Sequence, residues 1–209
     1  MNPFATSLTT PDELSALYPP AAERAWAKDI GAVDEVARRL IDASPMVFVA
    51  SHDAAGRTDV TPRGGPPGFV SVLDDDHLAI PDATGNRRLD TLTNIIATAH
   101  AGLLFVIPGR DQTLRVNGRA CVTADAAVLD RIAAVGKRPP TAIVVRADEV
   151  YAHCPKAFVR SKLWNPDAWA PLDGLPTPAE VSLAHLRDPA RTLAEEQEYL
   201  ETALRERLA

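Results

Sequence analysis

From Met46 onward, short apolar runs rich in β-forming residues alternate with turns, and this alternation limits the fold more than any other feature. The runs and strand-like segments read MVFVAS, DVTPRG, FVSVLD, HLAIPD, AGLLFVIPG, TLRVNGRACVT and TAIVVRADEVYAHC. Gly, Pro and Asp clusters separate most of them. Short strands joined by turns are typical of an antiparallel meander that closes into a barrel. The sequence therefore predicts a mainly β, antiparallel, barrel-like core.

Helical patterns precede, interrupt and follow these runs. A first helix begins in TTPDELSALY, with Thr10 as N-cap and Pro11 at the first position. A second helix is predicted over residues 21–43 from apolar residues at helical spacing. NRRLDTLTNIIAT and AAVLDRIAAVG predict two helices inserted in the sheet, the second ended by Gly136 as C-cap. The apolar face of the first inserted helix comprises Leu89, Leu92, Ile95 and Ile96.

The chain divides into three parts by composition. Residues 1–43 form a helical extension, and residues 44–164 hold the barrel. Residues 165–209 begin with a proline-rich segment and end in the charged helical pattern LAEEQEYLETALRERLA. This last part has too few apolar residues for a core of its own, so we expect it to pack as an arm of the same domain.

Composition excludes several classes of function. The net charge of −6 argues against nucleic acid as a partner, since phosphate neutralisation requires an excess of Lys and Arg. No apolar run approaches the roughly 20 residues that span a bilayer, and MNPFATSLTTPDEL has no signal-peptide pattern, so a cytoplasmic protein is expected. The five histidines are scattered without metal-ligand spacing, so no metal site is expected.

No sequence pattern supplies a catalytic system of its own. Neither a GxSxG nucleophile elbow nor a helix-opening GxGxxG is present. Cys154 beside His153 has two interpretations, a reactive thiol and a buried structural cysteine, and the second is preferred. An enzyme with this sequence would take its chemistry from a cofactor.

The segment GNRRLD is the clearest candidate for ligand binding, and it has two interpretations. With Asn86 as N-cap, Arg87 and Arg88 fall in the first helical turn, where the helix dipole disfavours positive charge. They either form a solvated helix start that pairs with nearby aspartates, or they bind an anion together with the free N–H groups of that turn. Arg63, in TPRGGPPG, would complete such an anion site.

Two other segments carry polar residues in suggestive positions. In TLRVNG, Thr113, Arg115 and Asn117 share one strand face, which is either half-exposed surface or faces a ligand. The segment KAFVRSKLW is basic and ends in an aromatic residue, a composition typical of surface and less often of an anion-binding or stacking site.

The order of these motifs resembles the pyridoxamine 5′-phosphate oxidase-like family of FMN-binding split barrels. The resemblance runs through SPMVFVAS, GRTDVTPRGGPPGFV, LAIPDATGNRRLDTLTNI, AGLLFVIPG and TLRVNGRA, and it is closest to a bacterial subgroup of FMN-dependent enzymes. It implies a six-stranded antiparallel split β-barrel and a homodimer with FMN at the subunit interface. It also implies an oxidoreductase with a small-molecule substrate.

The resemblance also implies which residues hold FMN. Arg63, with its neighbours Thr61, Pro62 and Gly64, lies near the end of the matching strand, and Asn86, Arg87 and Arg88 stand where the family holds the phosphate. The remaining implied flavin contacts are Pro81, Asp82, Thr113 and Arg115, and, reaching the partner chain's flavin, Lys156, Arg160, Ser161 and Trp164.

The sequence departs from the family pattern at informative positions. Asp82 replaces a neutral hydroxyl, Thr113 replaces a glutamine, and the Arg-x-His arrangement of true pyridoxamine phosphate oxidases is absent from the chain end. Pyridoxamine phosphate is therefore not the expected substrate. The alternatives are a deazaflavin-dependent reductase, or a non-catalytic flavin- or haem-binding protein with His100 or His153 as the haem ligand.

Overall fold

The computed structural model describes residues 2–83, 85, 87–133 and 137–207. Its strands are β1 (Met46–His52), β2 (Thr58–Gly64), β3 (Ser71–Val72), β4 (His77–Pro81), β5 (His100–Val106), β6 (Leu114–Thr123), β7 (Ala142–Arg146) and β8 (Glu149–Ala152). Its helices are α1 (Pro11–Ser15), α2 (Glu23–Trp26), α3 (Glu35–Asp42), α4 (Asp90–Thr98), α5 (Ala126–Ala133), α6 (Lys156–Ser161), α7 (Pro178–Leu186) and α8 (Leu193–Arg207).

The strands form one antiparallel sheet in the order β2-β1-β5-β6-β7-β4-β3, and β8 pairs with the first half of β6. The sheet path does not close into a ring. The predicted fold class, an antiparallel split barrel with flanking helices, is confirmed. The described sheet has eight strands rather than six, and its shortest members, β3 and β8, are two and four residues long.

The apolar core lies on the inward face of this sheet, beneath α3 and α4. β1 shows the pattern most clearly, because Val47 and Val49 are fully buried while Phe48 between them is exposed on the other face. The largest fully buried apolar side chains of the sheet and the two helices are Ile41, Leu78, Ile80, Ile95, Leu103, Phe105 and Ile143. Removal of this apolar surface from water is the main force that holds the helices on the sheet.

β6 changes its neighbour at Gly118. Its first half pairs with β8 and its second half with β7, so the chain that joins β7 to β8 crosses β6 at this residue. A Cβ on Gly118 would lie 1.8 Å from the carbonyl oxygen of Arg146 and 2.9 Å from the backbone nitrogen of Asp148. Both atoms are backbone and cannot rotate away, so only glycine fits here. The Asp148 N–H donates to the Asn117 carbonyl at 2.9 Å and fixes the crossing.

The continuous second helix predicted over residues 21–43 is wrong, because an irregular segment separates α2 from α3. Gly31 has a left-handed φ of +59°, and the Asp29 carboxylate accepts hydrogen bonds from the N–H groups of Gly31 (3.2 Å) and Val150 (2.9 Å). Asp34 then caps the first turn of α3. These polar bonds outweigh the helical spacing of the apolar residues.

α4 begins later than predicted and buries a narrower face. Its first residue is Asp90, and it buries Leu92 and Ile95, whereas Leu89 and Ile96 are exposed in the single chain. The predicted four-residue apolar face is therefore wrong at its two outer positions. The predicted caps Asn86 and Gly136 lie outside the described residues.

The C-terminal helices α7 and α8 pack against each other around one buried carboxylate. Glu196 is 1% exposed, accepts a hydrogen bond from the Ser182 hydroxyl, and forms an ion pair with Arg191. The Arg191 guanidinium also lies 5.0 Å from the centre of the Tyr199 ring. The limits of the three parts, at residues 43 and 164, stay a prediction.

Replacing Gly118 by alanine should destabilise the fold strongly. The added Cβ forces β6 and the β7–β8 connection apart, and we expect a loss of about 3 kcal/mol in the free energy of unfolding, measured by urea denaturation. Gly64→Ala is the matched control, because a Cβ there meets the Pro45 carbonyl at an ordinary 3.5 Å. Equal urea midpoints for the two variants would contradict the crossing constraint.

Candidate functional site

β2 carries a row of polar side chains on its inward face. Asp59, Thr61 and Arg63 are half-buried, because the pairing with β1 directs every second residue of β2 toward the core side. The predicted site residues Pro62 and Gly64 alternate with them and are exposed. A strand that presents a hydroxyl and a guanidinium in one row holds them rigidly enough to orient a ligand.

The guanidinium of Arg63 meets a carboxylate from the far end of the sheet. Its Nη1 lies 3.2 Å from Oδ1 of Asp82, which directly follows Pro81 at the end of β4. β2 and β4 are not hydrogen-bonded neighbours, so this ion pair crosses the gap of the split barrel. The Nε of Arg63 is buried and has no hydrogen-bond partner among the described residues. A buried N–H without an acceptor is unfavourable by about 1–3 kcal/mol.

The loop before α4 carries the other two predicted arginines. Because α4 begins at Asp90, the prediction that Arg87 and Arg88 lie in its first turn is wrong: both precede the helix. Arg87 has a left-handed φ of +62°, which is uncommon for a residue with a side chain and often marks a functional constraint. A hydrogen bond and the charge of Asp90 raise the pKa of Arg88 above its usual range. Asn86, the third predicted phosphate ligand of this loop, lies outside the described residues.

A buried polar cluster beside this row was missed by sequence reasoning. The Asp59 carboxylate accepts a hydrogen bond from the Thr91 hydroxyl of α4 at 2.6 Å, and the Asn94 amide donates to the Ser51 hydroxyl at 3.1 Å. The Ser51 hydroxyl lies 3.5 Å from the same carboxylate. The cluster fixes α4, and therefore the preceding loop, over β2. The two-residue spacing of Asp59, Thr61 and Arg63 is the sequence signal that could have placed Asp59 on this face.

The predicted ligand face of β6 is only partly present. Arg115 and Asn117 are half-buried on the outward face, but Thr113 precedes the strand and is 5% exposed, so its predicted place on the same face is wrong. The Thr113 carbonyl accepts a hydrogen bond from the N–H of His153 at 2.9 Å. The Arg115 guanidinium lies 5.3 Å from the centre of the Tyr151 ring.

Arg115 lines an apolar groove on the outward face of the sheet, opposite to the β2 row. The groove has a volume of about 490 Å³ and is formed by Phe48, Ala50, Val60, Gly102, Leu103, Leu104, Arg115, Asn117 and His153. Burial, followed by the positive charges of Arg115 and Lys28, lowers the pKa of His153 below its usual value. This histidine is therefore neutral near pH 7.

The residues expected to reach a partner's flavin lie on and after α6. Lys156, Arg160 and Ser161 are exposed on this helix. Trp164 stacks on Phe158 with ring centres 5.7 Å apart and donates a hydrogen bond to the Arg110 carbonyl, so its ring is fixed in place.

The structure thus brings together Thr61, Arg63, Pro81 and Asp82 within one chain. Arg115 lies on the outward face of the sheet, and Lys156, Arg160, Ser161 and Trp164 lie on and after α6, apart from these four residues. The described residues contain no cluster of His, Cys, Asp or Glu that could hold a metal ion. Within the same part of the chain, no helix is both long and apolar enough to cross a membrane. Cys154 is exposed, which corrects its interpretation as a buried structural cysteine.

Comparison with solved structures gives several similar folds. One is HupZ from Group A Streptococcus, at a TM-score of 0.47 and 18% identity over 57% of this chain and 92% of that chain. A candidate pyridoxamine 5′-phosphate oxidase from Lactobacillus delbrueckii gives 0.46 and 21%, over 59% and 98%. HutZ, a haem storage protein from Vibrio cholerae, gives 0.42 and 9%, over 58% and 93%.

Sequence comparison yields no match among curated proteins. A family model described as pyridoxamine 5′-phosphate oxidase, however, matches residues 33–154, which is more than half of the chain. The matched span starts just before α3, ends just after β8 and contains the whole described sheet. The chain therefore belongs to the pyridoxamine 5′-phosphate oxidase-like family of split-barrel proteins.

Proposed function

We propose that the protein is an FMN-dependent oxidoreductase that acts on a small molecule, with the flavin bound at a homodimer interface. The observation that carries this proposal is Arg63, whose buried Nε–H finds no acceptor among the described residues and which lies on a rigid strand, across the barrel gap from Asp82. A flavin phosphate near this arginine supplies acceptor oxygens of the kind that a guanidinium binds best.

The side chains of this region are of the types that bind a flavin phosphate. The left-handed backbone at Arg87 and the hydrogen bond from Arg88 to Asp90 shape the loop before α4, and the cluster around Asp59 holds that helix over β2. Arg63, Arg87 and Arg88 would bind the phosphate, with Asn86 as a further proposed ligand. Thr61, Pro81 and Asp82 are the residues proposed to lie along the rest of the flavin.

Bound FMN would supply hydride and electron transfer, which no side chain of this protein provides. The protein's own part is to orient the ligand and exclude water. The strand residues on β2 and at the end of β4 provide a rigid support for this purpose. The contacts that the family resemblance implies for Thr113 and Arg115 are not part of this proposed site, because Thr113 is buried and Arg115 lies on the outward face of the sheet.

A second copy of the chain is proposed to complete the site. The outward face of β1, β2 and β5 exposes apolar side chains, including Val60 (66% exposed) and Phe48 (37% exposed), both of which line the groove described above. Such a contiguous apolar surface is typical of a protein interface. Lys156, Arg160, Ser161 and Trp164 of one subunit are proposed to contact the flavin of the other.

Replacing Arg88 by alanine should weaken FMN binding about threefold to tenfold, because one hydrogen bond from an exposed arginine to phosphate is lost. The dissociation constant is measured by quenching of flavin fluorescence. Arg57→Ala is the matched control, since Arg57 is an exposed arginine on the β1–β2 turn that pairs only locally with Asp53. An unchanged constant for the Arg88 variant would remove Arg88 from the phosphate site.

Replacing Val60 by glutamate should convert the dimer to a monomer, because a charge would be buried in the apolar interface. Sedimentation equilibrium measures the effect. Val36→Glu is the matched control, as Val36 on α3 is exposed to nearly the same degree (63%) but lies away from this face. A Val60 variant that stays dimeric would place the interface elsewhere.

Haem binding is the second candidate function, and one observation favours it. His153 is a neutral imidazole at the wall of an apolar groove, which is the state and setting that a haem ligand needs. His100 is exposed, and its Nδ1 is 2.7 Å from the Thr98 carbonyl.

If haem binds, His153→Ala should abolish the Soret band that forms when haemin is added, and His100→Ala should leave it unchanged. The same absorbance spectra, recorded with and without reductant, identify a bound flavin or deazaflavin by its own bands. No Soret band with the unmodified protein would exclude the haem candidate.

A further inference from the structure

The charged side chains around the proposed phosphate site balance one another. Three arginines, Arg63, Arg87 and Arg88, are accompanied by three aspartates, Asp59, Asp82 and Asp90. We propose that Asp82 limits the affinity of this site for the flavin phosphate, so that FMN is an exchangeable ligand of this protein and not a permanently held one. This inference rests on the proposed function.

The ion pair between Arg63 and Asp82 is shielded from solvent. The two side chains are only 21% and 15% exposed, and the charged atoms lie 3.2 Å apart. Water and salt screen such a pair less than an exposed one, so the carboxylate neutralises much of the field of Arg63 at the position where a phosphate would bind.

The backbone of Asp82 is fixed in the sheet, which keeps its carboxylate near Arg63. Pro81, the preceding residue, is paired with Ala142 of β7, and the N–H of Asp82 itself donates to the Thr141 carbonyl at 3.0 Å. Its backbone therefore continues the β4–β7 ladder by one residue. A phosphate must share Arg63 with a carboxylate that is held in place, and the two anions repel each other.

The other two carboxylates, Asp59 and Asp90, act on Arg88 in the loop before α4. Asp90 accepts a hydrogen bond from Arg88, and Asp59 receives the Thr91 hydroxyl while its charge also acts on Arg88. The Arg88 and Asp90 side chains are exposed, so water and salt screen their charges, whereas Arg63 and Asp82 are shielded from solvent. Among these three carboxylates, Asp82 therefore reduces the positive field of Arg63 the most.

The consequence is a specific pattern of ligand preference. The arginines still offer directional hydrogen-bond donors, but the net attraction for a doubly charged phosphate is small. FMN and riboflavin differ only by that phosphate, so the unmodified protein should bind FMN with only a modest preference over riboflavin and release it during gel filtration.

The test is Asp82→Asn in the full-length chain. Asparagine keeps an oxygen acceptor for Arg63 and removes only the charge. We expect FMN to bind at least tenfold more tightly than to the unmodified protein, riboflavin affinity to change less than threefold, and FMN to stay bound through gel filtration. Asp82→Glu, which keeps the charge, should bind FMN as weakly as the unmodified protein, and Asp76→Asn, in the exposed β3–β4 turn, should change neither affinity.

The outcomes separate the two proposals. FMN binding that is unchanged or weaker in Asp82→Asn, or equally tightened in Asp82→Glu, overturns the role of Asp82 and leaves the FMN site standing. Absence of FMN binding by the unmodified protein and by every variant overturns the proposed function and this inference with it. A urea unfolding curve of each variant verifies the fold. If Asp82→Asn is unstable, Asp90→Asn provides the second measurement, with tighter FMN binding expected and equal or weaker binding contradicting the charge argument.

Discussion

The close crossing of β6 by the chain between β7 and β8 is the constraint on which the rest of the architecture depends. Because Gly118 has no side chain, the backbone of Arg146 and Asp148 can pass against β6, and this strand can have β8 beside its first half and β7 beside its second. Through this change of neighbour, β6 belongs to both halves of the sheet and connects them. β7 in turn positions β4, and β4 delivers Asp82 to Arg63.

The candidate site therefore depends on long-range geometry more than on any local motif. Arg63 and Asp82 belong to strands that are far apart in the sheet order, and they meet only because the open sheet curls until its ends approach. The same ion pair stabilises the gap of the barrel and sets the charge of the proposed phosphate site. If the proposed phosphate site is correct, the carboxylate that stabilises this gap is also the one that opposes phosphate binding.

The sequence was sufficient to predict the strands, the inserted helices and the family, because alternating burial and turn residues are local signals. It failed where single polar residues redirect the backbone. Asp29 and Gly31 interrupt a stretch with helical spacing, and the late start of α4 moves Arg88 out of the helix. The pairing of Arg63 with Asp82 could not be predicted either, since it depends on the curvature of the whole sheet. The alternation along β2, by contrast, is visible in the sequence and would have placed Asp59 on the same face as Thr61 and Arg63.

The hydrogen bonds of the segment before α3 have a consequence for association between chains. Asp29 and Ile30 exchange hydrogen bonds with both backbone groups of Val150, so part of the outer edge of the short strand β8 is covered by the chain itself. Covered edges cannot recruit further strands, which protects a β-protein from open-ended aggregation. Within the described sheet, β2 has a strand neighbour only on its β1 side. The molecule thus covers part of one sheet edge with its own chain, which shortens the edge available for strand addition.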